Sequence, residues 1–545
     1  MGYKDLVSKP FTVKNANVKL EPLVLATQIE KLEEVTVRAE KPMVQVLADK
    51  TVFNVNNTVN AAGNSGFELL RKAPGVTIDN NDNVIVEGKS GVLFYIDGKP
   101  SVLRGQDMAN YLKTLQASDI EAIEIITQPS SKYDAEGNAG IVNIKLKRDK
   151  SLGTNGSLLL GATAGVYERF NSSISFNTRG KKTSFYGNYS NRIGRNFNFI
   201  NLYRSQNNNI FDARTRTVND NNSHNLRMGF DYYINKQHSI GIIATGNFND
   251  NFSNSDTRTP IIPAGSTAPV QVLVAESDGH NTTLNSYGNV NYRFDNGKGK
   301  TLNVDLDYGR YTSDRTNIQP NRYFNGTETQ VISEVINFFD TPVNIDVASG
   351  RIDYTQGFLK GVLGIGTKYS LVSTGNNFQA FDRINGVDVL NTANSNEFFY
   401  DEQIVAAYFN YNRRWKKVNM QFGLRVENTQ SDGRLKSTQT NVNAQVTRNY
   451  TNLFPSAGLT YRMNRKNSFA LNYSRRIRRP NYQTLNPFEY KLNELSFRKG
   501  NPFLQPQYTD NIKLSHTYKY TLTTSLSYSF ISDFSAQVTE TFGPG

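Results

Sequence analysis

The chain has 545 residues, a formal net charge of +13, only 37% hydrophobic residues and no cysteine. Zinc fingers, iron–sulfur sites and cysteine nucleophiles are thereby excluded, and 29 Tyr with 32 Phe argue against a disordered chain. Its Lys and Arg are scattered among predicted strands and turns without a basic tail, a pattern that suits an anionic lipid surface better than nucleic acid.

Residues 1–150 read as mixed α/β. Thr51-Val52-Phe53-Asn54-Val55 alternates like a strand. Asn64 or Ser65 is placed to cap a short helix that runs to Arg71 and stops before Pro74-Gly75. Two strands follow, Val76–Ile78 and Val84–Val86, around a turn-rich Asp79–Asn83. Val92–Ile96 leads into the turn Asp97-Gly98-Lys99-Pro100, and a helix from Gln106 to Leu115 precedes strands Ile120–Ile126 and Ile141–Lys147.

From about residue 152 the pattern changes to segments of roughly ten residues with alternating apolar and polar side chains, the signature of a membrane-spanning barrel strand. Met420, Phe422, Leu424 and Val426 point one way, and Gln421, Gly423, Arg425 and Glu427 the other. Leu226, Met228, Phe230 and Tyr232, and again Leu302, Val304, Leu306 and Tyr308, repeat this pattern. Asp305 and Arg425 are assigned to a wet lumen. On that basis Leu424→Arg near the midplane is expected to cost roughly 2–4 kcal/mol, and Arg425→Leu to matter less to folding than to contacts inside the barrel.

Short basic turns near 179–182, 235–238, 295–300, 413–418, 464–467 and 519–521 alternate with long connections at 194–224, 251–283, 313–345, 374–401, 430–451 and 476–509. Outer-membrane barrels have short periplasmic turns and long extracellular loops, so this rhythm orients the chain. It gives about fifteen strands by residue 531. No window holds the roughly eighteen consecutive apolar residues of a transmembrane helix, and lipid cannot satisfy an open strand edge. The start, Met1-Gly2-Tyr3-Lys4-Asp5, is not a signal peptide, so truncation at the N-terminus is expected.

Four stretches then carry a family likeness: Phe67–Val76 with Pro74 and Gly75, Val92–Pro100 with Asp97 and Gly98, Ile120–Ile126, and Pro129–Ile144 with Gly137 and Gly140. In the barrel, Leu453-Phe454-Pro455-Ser456-Ala457-Gly458-Leu459 and Ser474–Pro480 continue it. In this order the chain resembles the TonB-dependent receptors, in the outer-membrane barrel branch common in Bacteroidetes. The resemblance implies a mainly β fold: a small α/β plug (46–149) and an antiparallel transmembrane barrel (150–545) with about fifteen of ~22 strands. It further implies a carboxypeptidase-regulatory-like β-sandwich tail (1–25) and a linker (26–45) in which Glu34, Val35, Thr36 and Val37 form a TonB box. Such a segment pairs with its partner's exposed strand edge. The implied partners are TonB, outer-membrane lipid and lipopolysaccharide, and an extracellular ligand that the sequence does not name.

Catalysis finds no support. Glu87-Gly88-Lys89-Ser90 lacks the leading Gly of a phosphate loop, Asp79–Asn83 lacks the Gly and Glu of a calcium loop, and His224, His238, His280 and His516 are far apart. No cofactor is expected. Arg475, Arg476, Arg478 and Arg479 cluster at the expected extracellular mouth, where they are read as contacts to lipopolysaccharide phosphate or to an anionic ligand.

Overall fold

The computed structural model describes residues 2–3, 7, 10, 12, 22, 24, 27–28, 43–46, 50–55, 64–79, 82–101, 105–147, 152–384, 386–437, 444–480, 482–486, 489–493, 496–519 and 522–538. The chain divides into two units, Met1–Lys41 and Pro42–Gly545. In the first, β1 (Gly2–Tyr3) pairs antiparallel with β2 (Thr27–Gln28). Glu34–Val37, the expected TonB box, lies outside the described residues.

The second unit begins with a six-stranded mixed sheet in the order β3-β4-β9-β10-β7-β8. Its strands are β3 (Val44–Val46), β4 (Thr51–Asn54), β7 (Leu93–Ile96), β8 (Lys99–Pro100), β9 (Ile120–Ile126) and β10 (Ile141–Leu146), with a separate hairpin of β5 (Val76–Ile78) and β6 (Val84–Val86). Helix α1 (Gly66–Arg71) starts where expected: Ser65 caps it, accepting from the Glu68 amide at 3.1 Å while Glu68 accepts from the Ser65 amide at 2.7 Å. This capping box satisfies two otherwise orphaned donors. Its last turn runs into Ala73-Pro74-Gly75-Val76, where the Val76 amide returns to the Ala73 carbonyl and Gly75 has φ +74°. Helix α2 (Gly105–Thr114) packs against α1, and the core gathers Leu69, Leu70, Leu112, Ile120, Ile123 and Val142.

The rest is one antiparallel sheet of seventeen strands that wraps this core. It runs through β11 (Gly153–Thr163), β12 (Arg169–Arg179), β13 (Thr183–Gln206), β14 (Asn209–Tyr233), β15 (His238–Pro263), β16 (Gln271–Asp295) and β17 (Thr301–Asn325). β18 (Val331–Asp340), β19 (Val343–Phe358), β20 (Gly361–Ile384), β21 (Val387–Leu390), β22 (Asn396–Arg414), β23 (Val418–Ser437), β24 (Ala444–Arg462) and β25 (Asn467–Arg478) follow. After helix α3 (Tyr482–Leu485) and a small hairpin, β26 (Glu489–Asn493) and β27 (Ser496–Lys499), the sheet ends on β28 (Gln507–Tyr518) and β29 (Leu522–Ser532).

β18 and β19 lie end to end along β17, broken at Thr341-Pro342, and β21 and β22 lie end to end along β20. The seventeen strands therefore make fifteen crossings, as the sequence pattern anticipates. β11 and β29 are the two ends of the sheet order and do not pair with each other among the described residues.

Two expectations change. Most of the long polar connections are not loops. β13 and β14 pair continuously from Thr183↔Tyr232 to Gln206↔Asn209, straight through the stretch read as a 194–224 loop. At about 3.3 Å per residue, such strands are far longer than the nine to eleven residues a bilayer requires. The outer half of β13 is exposed at almost every residue, so hydropathy cannot separate it from loop, while the ladder still satisfies the backbone. Second, Leu359-Lys360, both at positive φ, make a tight turn that the sequence reading missed for want of Asn, Asp or Gly at its centre.

The facing read from alternation holds. Leu226, Met228, Phe230, Tyr232, Leu306, Tyr308 and Phe422 are exposed on the outside, while Asp305, Arg425 and Glu427 are buried inside. The lumen is not wet at these positions, because the plug fills it.

Candidate functional site

The charged residues that alternation turns inward meet plug residues that turns and glycines turn outward. After β9, the segment Pro129–Gly140 loops across to the wall of β20 to β25 before entering β10. Asp134 in that loop accepts from Lys368 Nζ at 2.8 Å and from Arg425 Nη2 at 3.0 Å. Arg425 also holds Glu427 at 2.5 Å, and Glu427 takes a second guanidinium from Arg479 at 2.7 Å. The Ala135 amide donates to the same Glu427 at 3.2 Å. Burial alone raises the Asp134 carboxyl, but Lys368 and Arg425 outweigh it and hold it well below the usual carboxylate range. Its stabilising contribution is therefore complete at neutral pH and is lost as pH falls from the ordinary carboxylate range to that depressed value.

A second set of ties lies at the β7–β8 turn. Asp97 (φ +52°) and Gly98 (φ +81°) form a two-residue turn that places Asp97 against Arg227 and Lys99 against Asp305. Further round, Gln116 accepts from Asn171 at 3.0 Å, and Asp119 accepts from Ser173 and Asn188 at 3.0 and 3.1 Å. The plug is thus tied along β12 to β17 and along β20 to β25.

The third tie is a strand pairing. β24 pairs with β25 only from Ser456↔Ser474 to Arg462↔Ser468. Pro455 comes next, and a proline cannot donate to a ladder. Beyond it, β25 leaves β24 and takes the plug as its neighbour. Glu136 bridges Ile477 in parallel, the Ile477 amide donates to Ala135 O at 3.0 Å, and the Gly137 amide donates to Ile477 O at 3.0 Å. Ala135, Phe454 and Ile477 pack together over this junction.

Gly137 and Gly140, flagged in the sequence, shape the loop that reaches β25. Gly140 has φ +100°, and a Cβ there would meet Ile126 O at 2.3 Å, with backbone on both sides of the contact. Gly140→Ala is expected to destabilise the plug by about 1–3 kcal/mol of backbone strain plus about 1–3 kcal/mol of overpacking. Chemical unfolding of the variant beside wild type measures this, and an unchanged midpoint would contradict it.

Of the arginine cluster, Arg476 and Arg479 do not form a solvated patch. Arg476 is buried, donating to Glu136 O at 2.6 Å and Gly137 O at 3.3 Å, and Arg479 is buried against Glu427. Arg475 lies over the Tyr508 ring. Arg478 lines a cavity. The expected contact of all four to lipopolysaccharide phosphate or an anionic ligand therefore does not suit Arg476 and Arg479, which are buried and already paired. Lys99, Asp134, Asp305, Lys368 and Glu427 escaped the reading as a site, although Arg425-x-Glu427 and Arg351-x-Asp353 on inward faces were a usable signal.

Among the cavities beside the plug, two adjoin each other. One, of about 580 Å³, lies on the side away from the short turns, between Asn83, Ser90 and Phe94 and the wall at Tyr400 and Arg478. The other, of about 570 Å³, lies between Asp97, Tyr111 and Asp119 and β11 to β17. Both are lined by Pro100, Ser101, Tyr287 and Gly309, where they adjoin.

Residues 44–141 match the TonB-dependent receptor plug domain, and residues 292–542 match the outer membrane protein beta-barrel family. No curated protein matches the sequence. Among solved structures, the ferric yersiniabactin uptake receptor FyuA from Yersinia pestis is 14% identical with a TM-score of 0.56, over 89% of this chain and 72% of that one. The copper transporter OprC is 13% identical with a TM-score of 0.61, over 90% and 73%. The ferripyoverdine receptor of the outer membrane of Pseudomonas aeruginosa is 14% identical with a TM-score of 0.59, over 90% and 63%. At such identities these likenesses concern the fold, and with the plug and barrel families they lead to one conclusion: the chain is a TonB-dependent receptor of the Gram-negative outer membrane.

Proposed function

We propose that this receptor imports a scarce small ligand across the outer membrane, using work delivered by TonB from the energised inner membrane. The observation that carries this reading is how the plug is held. The plug is tied to the wall by several largely buried ion pairs as well as by the bridge to β25, and moving it parts them together. An external pull on the plug is the way such a set of ties is parted in this reading. The segment Glu34–Val37 is the handle. It precedes β3, and a short β-prone segment joins a partner's strand edge through main-chain hydrogen bonds.

Two of the structural neighbours named above are receptors for ferric yersiniabactin and ferripyoverdine and one is a copper transporter, which supports a scarce metal-bearing ligand. Haem, a peptide or a glycan would suit the same scaffold, since fold does not fix ligand. Growth of a deletion strain on limiting iron and on defined glycans identifies the class. Deleting Glu34–Val37, or substituting Val35→Pro, is expected to abolish energised uptake and leave ligand binding intact, because proline cannot sit centrally in a ladder. Unchanged uptake in both variants would sink this reading in favour of a surface-binding barrel.

A further inference from the structure

We propose that the cavity above the plug binds a small molecule through one acidic group, a carboxylate or a phosphate, received by Arg478. The proposal rests on the reading of the chain as a receptor for an extracellular ligand.

Arg478 ends β25 beside the plug loop that follows β6, so close that a Cβ on Gly91 would lie 3.3 Å from its Cδ. Its three neighbours in the cluster are engaged: Arg475 with the Tyr508 ring, Arg476 with plug carbonyls and Arg479 with Glu427. Arg478 is half-buried and has no carboxylate, carbonyl or ring partner among the described residues. The backbone amides of Ser90, Gly91 and Val92, which line the same cavity, likewise lack an acceptor among the described residues. A guanidinium offers five donors in a planar fork matched to carboxylate and phosphate oxygens. Leaving it half-desolvated and unpaired is costly, and an acidic ligand group removes that cost.

The remaining charges set the ligand's limits. Lys368 and Arg425 are committed to Asp134, and Arg479 to Glu427. Asp307 accepts from Asn289 and Ser349, and Asp79 from Asn83. With Glu136 and Glu402, these carboxylates also line the cavity and repel negative charge everywhere but at Arg478. A single acidic group therefore fits and a polyanion does not. The rest of the ligand meets Val84 and Phe94 of the plug and Ile345 and Val372 of the wall beside Ser349, Ser370 and Thr374, so its body is part apolar and part polar. A cavity of about 580 Å³ accepts a molecule of a few residues' bulk and excludes a folded domain.

Calorimetric titration of the full chain in detergent tests this with N-acetyl-leucyl-leucine, its C-terminal amide, inorganic phosphate and lipopolysaccharide as probes. The acid is expected to bind wild type about tenfold more tightly than the amide, as one charge-assisted contact allows. Arg478→Gln should erase that preference, Arg478→Lys should keep part of it, and Arg475→Gln should keep all of it. Inorganic phosphate is expected to compete with the acid, and lipopolysaccharide is not. Equal unfolding midpoints for the Arg478 variants and wild type exclude misfolding as the cause. Four results would each overturn the proposal: no binding of the acid to wild type, no preference over the amide, a preference that survives Arg478→Gln, or displacement by lipopolysaccharide. The measurement requires no TonB. Failure of import after deletion of Glu34–Val37 is therefore read separately from failure of this site.

Discussion

Arg425→Leu is expected to destabilise the assembled protein by about 3–5 kcal/mol, the range for removing one partner of a buried ion pair. The lower end is more apt, because Lys368 still faces Asp134 and Arg479 still faces Glu427. Leu424→Arg, on the lipid side of the same strand, is expected to cost roughly 2–4 kcal/mol if it lies near the midplane. The two neighbours thus cause comparable damage for different reasons. This departs from the expectation drawn from alternation alone, in which Arg425 stood in a wet lumen and its loss mattered less to folding than to contacts inside the barrel. Arg425 is only 2% exposed, so its loss leaves two buried carboxylates with one cation fewer between them instead of a gap that solvent fills. Unfolding in detergent or liposomes for both variants checks the pair. An Arg425→Leu protein within 1 kcal/mol of wild type would mean that the Asp134–Arg425–Glu427 cluster does not hold the plug, by the scale of single-site effects. Adding Asp134→Asn should recover part of the loss, because coupled neighbours are not additive.

Locking the plug to β25 should stop transport while sparing binding. Glu136 and Ile477 are direct partners across the parallel bridge, and facing residues of adjacent strands lie within the range that a disulfide spans. The chain has no native cysteine, so Glu136→Cys with Ile477→Cys introduces the only thiols. Oxidised, the double variant is expected to lose about nine-tenths or more of energised uptake, since more than 1.4 kcal/mol of opposition already gives tenfold. Ligand binding should persist, and a reductant should restore uptake. Full uptake by the oxidised protein would show that the plug moves without parting from this strand. Pro455 explains why the bridge exists: by ending the β24–β25 ladder at Ser456↔Ser474, it frees the edge that Ala135–Gly137 occupies.

The sequence by itself determined the architecture and the facing. Period-two alternation oriented Phe422, Arg425, Leu306 and Asp305 correctly, because a barrel strand has one face in lipid and one turned inward, and a slip of one residue would reverse both. Asn64 or Ser65, and Pro74 with Gly75, marked the start of the first plug helix and the turn beyond it through local hydrogen-bonding and φ preferences that need no distant partner. Only the tertiary structure decided what the inward charges do. Asp134 lies 291 residues from Arg425, and Lys99 lies 206 from Asp305. No local preference relates positions so far apart, so a polar inward residue reads the same whether it meets water or a buried counter-ion. The arginines of Ser474–Pro480 divide on the same ground. They share one short stretch of sequence, yet strand pleat and the break at Pro455 turn Arg476 and Arg479 onto the plug, lay Arg475 on Tyr508, and leave Arg478 facing the cavity.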